Sequence, residues 1–599
     1  MSSSLKTSFS FWALVLGVLF LFCGKPLMTE WSLNLYTDRL SWDVFGYYLY
    51  LPATFIYGDP FITDFSWLHE LYETYRPSST LYQVWTVQQG THLIKYSMGM
   101  ALLYAPGFLV GHGIAVISGY PLDGMSLPYQ MGVTFWSYAF VIWGLWMTRK
   151  ILLRFTTDLW AGWGILLLFA CTNFFQISTN APLSPHNYQF TLYAWFFLSV
   201  IKWYEKGLKK DLTAIAFSLG LALLARPSAI VLLLILGTWG CSSWNEVWAQ
   251  IKSWIGPQRK NALWIAGIAF LVGLPQMIYW FYTTGKPIFY SYPNDGFDFA
   301  TPYLAEVLFS FRKGWWIYTP YMFFSFLGLW FTYVKNPKIG FPLAVFWFGN
   351  LYLISSWNTW WYGGSFGHRA FVDSYGILTL PILFFLQWVF SKGTWAQLSI
   401  SLAILCFAVL NIFQSWQINH GILSDTNMTK AYYKAIFGKT QVGPEERLYM
   451  GMSRHPKAKL DRSKPYRVAL DKDVEPQTVP VKEWGSDAYL LVLPMSKVSL
   501  AEHTWWISDI QFSVYPKEGL APQLFFVNQT KHDDKGTRIK DYPIKVGGLP
   551  NDTLELHTEY FTPILKAPRD YTRIFFRGHN VDSVVVHSYR ITVLEPTWY

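Results

Sequence analysis

The chain has 599 residues, of which 52% are hydrophobic, 20% aromatic and only 14% charged, with a mean hydropathy of +0.21. This composition excludes a soluble globular protein and predicts a polytopic α-helical membrane protein. The formal net charge of +10 does not indicate a nucleic-acid partner, because the Lys and Arg residues lie in short segments between apolar runs and form no single basic surface.

Apolar runs of roughly 17 to 25 residues, enough to cross a bilayer, recur from Phe9 to Trp416. The first run, Phe9 to Met28, lacks a small-residue cleavage site and is expected to be a retained anchor. Basic residues favour cytoplasmic loops, and this rule with a cytoplasmic N-terminus predicts about eleven crossings. They are expected near residues 9–28, 131–148, 159–176, 187–203, 211–225, 228–242, 262–281, 316–333, 340–356, 374–390 and 396–416.

One apolar run, residues 98–118, is interrupted by Pro106, Gly107, Gly111 and Gly113. A single crossing here would invert every later loop, so the run is expected to lie along the outer interface. A hairpin that crosses twice would preserve the same orientation. In the first case, residues 29–130 form one large external loop that carries juxtamembrane helices.

The chain changes character after residue 420, and residues 425–599 are expected to form a separate extracytoplasmic domain. Its strand-like stretches, separated by Gly, Pro, Asn and Asp, predict a β-sandwich. They are residues 489–493, 524–527, 572–576 and 583–593, the last preceded by an expected turn at Asn580-Val581-Asp582. All four cysteines lie in the apolar runs, so neither a disulfide framework nor a CxxC metal site is available to this tail.

Asp43 stands among aromatic residues at the start of the large external loop, in the segment Asp43-Val44-Phe45-Gly46-Tyr47-Tyr48-Leu49-Tyr50-Leu51-Pro52. A helix here would place Asp43, Tyr47 and Tyr50 on one face, giving a carboxylate flanked by phenols. Such a face suits a sugar, with Asp43 as a general base. The alternative is an interfacial aromatic belt whose acid only reaches water.

A second polar segment, residues 357–373, contains Trp360, His368, Arg369 and Asp373 among several glycines. Glycines allow the backbone to approach a ligand closely. Arg369 enters the next apolar run, where an unpaired guanidinium is costly, so it needs an anionic partner. That partner is either Asp373, four residues on, or a bound phosphate with His368 nearby.

Arg226 lies at an outer turn between two expected spans, against the positive-inside trend. It indicates either phosphate binding or a side chain that reaches out to the interface. His186 opens another span on the outer side and serves as an interfacial or helix-capping residue, or else binds a sugar hydroxyl or assists the acid. The aromatic loop 290–320 is a candidate lid over the site.

Residues 1–420 resemble the GT-C membrane glycosyltransferases, specifically the branch of protein mannosyltransferases and the aminoarabinose transferase of lipid A. The resemblance rests on four sequence elements. They are Asp43 with Tyr47-Tyr48-x-Tyr50-Leu51-Pro52, Lys95-Tyr96-x-x-Gly99 followed by Ala105-Pro106, Phe309-Ser310 with Gly314 and Pro320, and Trp360 with Gly363-Gly364-Ser365-x-Gly367-x-Arg369. The chain departs from the family where paired acids are usual, because Trp42 precedes Asp43, and where a second external acid is replaced around His186.

The resemblance implies an enzyme that transfers a sugar from a polyprenyl-phosphate donor to an acceptor hydroxyl on a lipid, glycan or protein, outside the cytoplasm and with inversion. Asp43 is the implied catalytic base, and Arg226 and Arg369 the implied donor-phosphate ligands. Tyr47, Tyr50, His186, His368 and Trp360 are the candidate substrate-binding residues. No cofactor and no obligatory metal are expected, and the protein is expected in the inner (plasma) membrane.

Three other classes remain open from the sequence. An O-antigen-ligase-type transferase would also use external arginines and a lipid-linked donor, but would not need an acid just after the first span. A secondary transporter is expected to show internal repeats with broken helices in matching positions, and no convincing repeat is present. A non-catalytic scaffold with a glycan-binding tail would be indifferent to Asp43.

Overall fold

In a computed structural model, the protein divides into two compact units, Met1–Asn419 and His420–Tyr599. The boundary agrees with the domain division expected near residues 420–425. The structure describes residues 8–28, 38–78, 81–88, 91–292, 295–447, 449–451, 460, 462–463, 465–481, 489–498, 504–516, 523–532, 537–546, 553–562, 571–579 and 581–597.

The first unit is helical apart from one short β-hairpin. Its helices up to residue 206 are α1 (Phe9–Met28), α2 (Asp43–Tyr48), α3 (Tyr50–Phe55), α4 (Ser66–Tyr75), α5 (Gly99–Ser118), α6 (Leu127–Phe155), α7 (Asp158–Cys171), α8 (Phe174–Asn180) and α9 (Pro185–Lys206). The hairpin strands β1 (Val84–Gln88) and β2 (Thr91–Ile94) lie between α4 and α5 and pair antiparallel.

The remaining helices of the first unit are α10 (Lys209–Ala225), α11 (Leu232–Thr238), α12 (Trp244–Ile255), α13 (Arg259–Thr284), α14 (Leu304–Phe309), α15 (Trp315–Tyr318), α16 (Phe323–Lys335), α17 (Pro337–Ser355), α18 (Tyr375–Phe390) and α19 (Thr394–Asn419). Short 3-10 helices cover Pro227–Val231, Pro320–Met322 and Arg369–Ser374. Proline at the first turn favours several of these starts, since its missing N–H is not needed there.

A helix or a broken helix lies at each of the eleven expected crossings. Within the described residues, five helices are long and apolar enough to cross a membrane, or six if the bent pair α7 and α8 counts as one span. The protein therefore has several helices able to span a membrane, and the number eleven stays a prediction.

Helix α5 is one of these five apolar helices, although the sequence predicts that it does not cross. It packs antiparallel to the first half of α6: a Cβ at Gly107 would lie 2.7 Å from the Gly132 carbonyl oxygen, and one at Gly111 would lie 2.7 Å from the Pro128 carbonyl oxygen. Helix α9 contacts the middle of α6, where the Thr191 hydroxyl donates to the Phe140 carbonyl and a Cβ at Gly144 would meet the Thr191 side chain. Helix α5 thus runs alongside the start of α6, and the absence of a crossing stays a prediction.

The second unit contains two short helices, α20 (Lys430–Ile436) and α21 (Pro444–Arg447), followed by strands. The strands are β3 (Tyr466–Val474), β4 (Gln477–Pro480), β5 (Leu491–Pro494), β6 (Thr504–Pro516), β7 (Gln523–His532), β8 (Thr537–Val546), β9 (Thr553–Thr562), β10 (Tyr571–His579) and β11 (Val581–Pro596). The predicted β-rich tail is confirmed. The turn expected at residues 580–582 is wrong for Val581 and Asp582, which belong to β11; Asn580 lies outside the described residues.

These strands form two antiparallel sheets, one in the order β5-β10-β7-β8 and the other β3-β11-β6-β9 with β4 paired to β11. Alternating apolar residues from both sheets enter one core. Phe576 of β10, for example, packs against Phe512 of β6 with ring centroids 4.9 Å apart, and against Phe526 of β7 at 5.5 Å.

Candidate active site

Asp43 begins helix α2 directly after a strained residue. Trp42 has φ 53° and ψ −129°, a backbone conformation that residues other than glycine rarely adopt. Its backbone is held on both sides: its N–H donates to the Pro77 carbonyl at 2.8 Å, and its carbonyl accepts from the Gln83 amide at 3.0 Å. These two contacts fix the direction in which the chain enters the helix, and with it the position of the Asp43 carboxylate.

The β1–β2 hairpin brings two phenols to Asp43. Tyr82 precedes β1 and Tyr96 follows β2, and the Lys95 N–H donates to the Gln83 carbonyl at 2.8 Å to close the base of the hairpin. Both tyrosine hydroxyls donate to Oδ1 of Asp43, each at 2.7 Å. One carboxylate oxygen is thereby fully engaged, while the other, Oδ2, is left for a different partner.

Oδ2 of Asp43 faces the Arg369 guanidinium at 3.6 Å, which is too long for a hydrogen bond but close enough for strong charge attraction. The Asp43 side chain keeps 42% of its surface exposed. Burial raises the pKa of Asp43, but Arg369, the phenols of Tyr96 and Tyr82, and Lys95 together lower that pKa below its ordinary value. The carboxylate is therefore ionised at neutral pH.

Arg226 reaches the same region from the end of α10, which stops there because Pro227 follows. Its guanidinium lies 3.2 Å from Nε2 of His186, and Nδ1 of His186 lies 2.7 Å from Oδ1 of Asp373. Asp373 thus pairs with His186, and the alternative that it is the partner of Arg369 is wrong in this structure. His186 is fully buried and reaches a ligand only through Arg226.

Three further groups complete the surroundings of Asp43. The Tyr47 ring packs on the Tyr96 ring with centroids 4.4 Å apart, and the hydroxyl of Tyr47 hydrogen-bonds to Tyr292. The Lys95 ammonium lies 4.8 Å from the Tyr292 ring centroid, a cation–π contact. We call Asp43, Tyr82, Tyr96, Tyr47, Tyr292, Lys95, Arg226, Arg369, His186 and Asp373 the Asp43 cluster.

Two glycines of the quoted sequence elements have a steric reason to be glycine. A Cβ at Gly46 would come within 2.3 Å of the Tyr96 ring, and one at Gly99 would come within 2.4 Å of the Ala225 backbone nitrogen. The first allows Tyr96 to lie against α2, and the second allows α5 to begin beside the end of α10. Both close approaches keep Asp43, Tyr96 and Arg226 in one region.

The other predicted site residues occupy supporting positions. Tyr50 is buried, and its hydroxyl donates to the Tyr96 backbone carbonyl at 2.7 Å, so it does not share an open face with Asp43. Trp360 is only 1% exposed and does not present its ring to a ligand. His368 donates from Nε2 to the Trp360 carbonyl at 2.9 Å, and burial lowers its pKa to about 3, so it is neutral.

The candidate lid touches the cluster through Tyr292 and Ser291. Tyr292, in the 290–320 segment, contacts Tyr47 and Lys95, as described above. The Ser291 hydroxyl donates to the Lys95 carbonyl at 2.6 Å, and the Thr359 hydroxyl donates to Asp295 at 2.7 Å. The segment is thus tied both to the hairpin and to the 357–369 segment, and its role as a lid stays a prediction.

Sequence reasoning assigned no site role to Tyr82, Tyr96, Lys95 or Tyr292. Lys95 and Tyr96 stand in the Lys95-Tyr96-x-x-Gly99 element, which was the available sign. Tyr82 and Tyr292 stand in polar, irregular segments and carry no sequence pattern that distinguishes them from the other tyrosines of a chain with 38.

The charges of the Asp43 cluster do not balance. Lys95, Arg226 and Arg369 outnumber the two acids, and burial raises the pKa of Asp373 well above its ordinary value, so the cluster carries at least one surplus positive charge. An excess cation in a partly enclosed region favours an anionic ligand. Within the described residues, no group of three or more His, Cys, Asp or Glu side chains could hold a metal ion.

Comparison with known proteins adds no name to this site. No family model matches the chain, and no curated protein matches it either.

Proposed function

We propose that the protein is a GT-C-type glycosyltransferase that moves a sugar from a polyprenyl-phosphate donor to an acceptor hydroxyl on the extracytoplasmic face of the plasma membrane. The observation that carries this proposal is the placement of the Asp43 carboxylate beside Arg369, with Arg226 close to the neighbouring Tyr47, in a cluster with surplus positive charge. A phosphodiester-linked donor carries a negative charge, which a region with surplus positive charge attracts.

In the proposed reaction the acceptor oxygen attacks the anomeric carbon, and the bond from that carbon to the phosphate oxygen breaks. The bonding electrons leave on the phosphate, and the acceptor proton passes to Asp43. Oδ2 is the receiving atom, since Oδ1 already accepts two hydrogen bonds. Attack from the face opposite the phosphate gives inversion. Arg226 and Arg369 stabilise the charge that grows on the leaving phosphate.

In the proposed reaction Arg369 interacts first with Asp43 and then with the donor phosphate. In the free protein it holds Asp43 in its ionised, weakly basic form. When a donor phosphate engages the guanidinium, part of that stabilisation is withdrawn from Asp43, and the carboxylate becomes a stronger base. The base is thus activated by the arrival of the donor, which limits unproductive proton transfer.

The same geometry favours a base-assisted transferase over the ligase and scaffold alternatives. A ligase-type enzyme needs the arginines but has no use for an acid held by two phenols. A scaffold needs neither. The polar groups around Asp43 are arranged at hydrogen-bond distances on one oxygen and leave the other accessible, as a general base requires.

The test compares polyprenyl-phosphate lipids, by mass spectrometry of whole membranes, among cells with the wild-type chain, Asp43→Asn and Asp38→Asn. Asp38 is the nearest acid in sequence and is exposed, so it provides a matched control. We expect one glycolipid to accumulate with Asp43→Asn alone, because general-base loss slows transfer by about 10²- to 10⁴-fold. Identical profiles at equal protein levels would refute the proposal.

We further propose that the two sheets of the second unit form a β-sandwich that either binds glycan or supports the external loops. The support for the sandwich is the single core that both sheets fill. No metal is required in the proposed chemistry, and transfer that is lost on adding EDTA would contradict that part of the proposal.

A further inference from the structure

We propose that Asp373 is a positioning residue that acts through His186 on Arg226 and so orients the guanidinium toward the leaving phosphate. The inference deepens the proposed function and rests on it. It concerns a chain of three side chains from three different elements: Asp373 from the 3-10 helix before α18, His186 from the first turn of α9, and Arg226 from the end of α10.

The hydrogen-bond chemistry fixes the tautomer of His186. A guanidinium only donates, so Nε2 of His186, 3.2 Å from Arg226, must be the accepting nitrogen. The proton of the neutral ring then resides on Nδ1, which donates to Asp373 at 2.7 Å. Asp373 therefore orients the His186 ring, and the His186 ring in turn orients the Arg226 guanidinium.

The burial of Asp373 and His186 restricts how far these two side chains can move, and so helps to orient Arg226. His186 is 0% and Asp373 5% exposed, whereas Arg226 is only partly buried. Asp373 and His186 thus lie inside the protein, while Arg226 is the member that a ligand can reach. Arg226 is also held from the other side by its backbone, since its N–H donates to the Ala222 carbonyl at 2.8 Å. One guanidinium nitrogen is engaged by His186, and the guanidinium carbon lies 5.7 Å from the Tyr362 ring centroid.

The arrangement follows the same principle as a metal-binding histidine that a carboxylate holds in place. Here the carboxylate orients the histidine, and the histidine orients the arginine that would bind the phosphate. A directly paired Asp373 and Arg226 would neutralise the guanidinium. The intervening neutral imidazole orients Arg226 and leaves its charge available to an anion. Asp373 thus supplies the acid that is missing from the sequence around His186.

The test measures binding of farnesyl phosphate to the purified full-length chain in detergent, by tryptophan fluorescence. The variants are Arg226→Gln, Asp373→Asn, His186→Asn and the Arg226→Gln/Asp373→Asn double variant, with Asp38→Asn as control. An amide at residue 186 still donates to Asp373 but no longer reaches Arg226, so the buried carboxylate stays paired. Thermal unfolding in the same detergent checks that each variant is folded.

We expect Arg226→Gln to weaken binding about tenfold or more, as for loss of a charged hydrogen bond. His186→Asn and Asp373→Asn are each expected to weaken it about three- to tenfold, and the Asp373 effect should vanish in the Arg226→Gln background. The sign is decisive for Asp373→Asn. A carboxylate that acted only by its charge would repel the probe, and its loss would tighten binding.

Three results would overturn the inference in different ways. If Arg226→Gln weakens binding while His186→Asn and Asp373→Asn do not, the relay fails and the proposed function stands. Additive effects of Arg226→Gln and Asp373→Asn would assign Asp373 a merely structural role. If the wild-type chain does not bind the probe, or Arg226→Gln binds it normally, the donor-phosphate role of Arg226 fails, and the relay fails with it.

Discussion

At the level of single residues, burial raises the pKa of Asp43, and Arg369 followed by the two phenols on Oδ1 lowers it. Both Tyr96 and Tyr82 lower the pKa of Asp43. Replacing either with Phe removes one lowering cause, so that pKa must rise. The carboxylate form, which persists above the pKa, is then lost at a higher pH.

We therefore expect the acidic limb of the pH profile of kcat/KM to move to higher pH in Tyr96→Phe and in Tyr82→Phe. The free-enzyme limb is the right readout, because kcat/KM reports groups of the unbound enzyme. Tyr120→Phe, at a tyrosine with 44% exposure, serves as control and should leave the limb in place. An unmoved limb in both site variants would show that Asp43 does not govern it.

Trp42 offers a second residue-scale prediction, because its backbone conformation suits glycine and its ring is 57% exposed. Trp42→Ala and Trp42→Gly both remove the ring, but only the glycine relieves the strain. We expect Trp42→Gly to be more stable than Trp42→Ala by about 1 kcal/mol or more. Thermal unfolding of the two purified variants checks the order, and an alanine variant of higher stability would contradict it.

At this scale the sequence could predict which residues are candidates for the site, but it could not predict which side chains contact each other. Asp43, Arg226 and Arg369 were found because charged residues are rare near apolar runs. The pairing of His186 with Asp373 joins residues 187 positions apart, and only the packed helices bring them together. Trp360 was misjudged for the same reason: a tryptophan in a glycine-rich loop gives no sign that tertiary packing will bury it.

At the level of elements, the contact between α5 and α6 depends on glycines that leave no room for a Cβ. A methyl at Gly107 would press on the α6 backbone at 2.7 Å, whereas Gly113 on the same helix has open space. We expect Gly107→Ala to lower stability by about 1–3 kcal/mol through overpacking. Gly113→Ala is the matched control and should be neutral or stabilising by up to about 1 kcal/mol. Equal melting temperatures for the two variants would show that the helices can separate at little cost.

The path of α5 can be tested by labelling. If α5 stays at the outer interface, the loop after it lies on the same side as Asp43; a single crossing would place that loop inside. In a chain without its four native cysteines, we expect Leu122→Cys and Trp42→Cys to react with an impermeant thiol reagent added to intact cells. Both side chains are exposed. Lys392→Cys, in an expected cytoplasmic loop, should stay unreacted. Protection of residue 122 alone would mean that α5 crosses.

The elements also show where hydrophobic pattern suffices and where it fails. Every expected crossing fell on helix, because long apolar runs leave few alternatives. The breaks within those helices were not foreseen. The α7–α8 pair bends by 70° although no proline interrupts residues 171–174. The β1–β2 hairpin was also missed, since its strands of five and four residues are too short for an alternating pattern to show.

For the whole molecule, the relevant fact is that each unit has an apolar core of its own. Phe576 is fully buried in the core of the second unit, and its removal is expected to cost about 3–5 kcal/mol. Two separate cores predict two unfolding transitions in calorimetry. Phe576→Ala should lower only the transition of the second unit, while Phe437→Ala, at a 60% exposed phenylalanine, should move neither.

This variant also separates the two roles proposed for the second unit better than a deletion does, because the chain stays whole. If the sheets bind glycan, unfolding them at an intermediate temperature should alter which acceptor is used, while transfer itself continues. If they support the external loops, transfer should fall at the temperature where the second unit melts, with acceptor choice unchanged. The assay compares transfer to two acceptors below and above that transition in Phe576→Ala and in wild type. Since Asp43 and its partners all belong to the first unit, a third result, transfer and choice both unaffected, would deny the second unit either role.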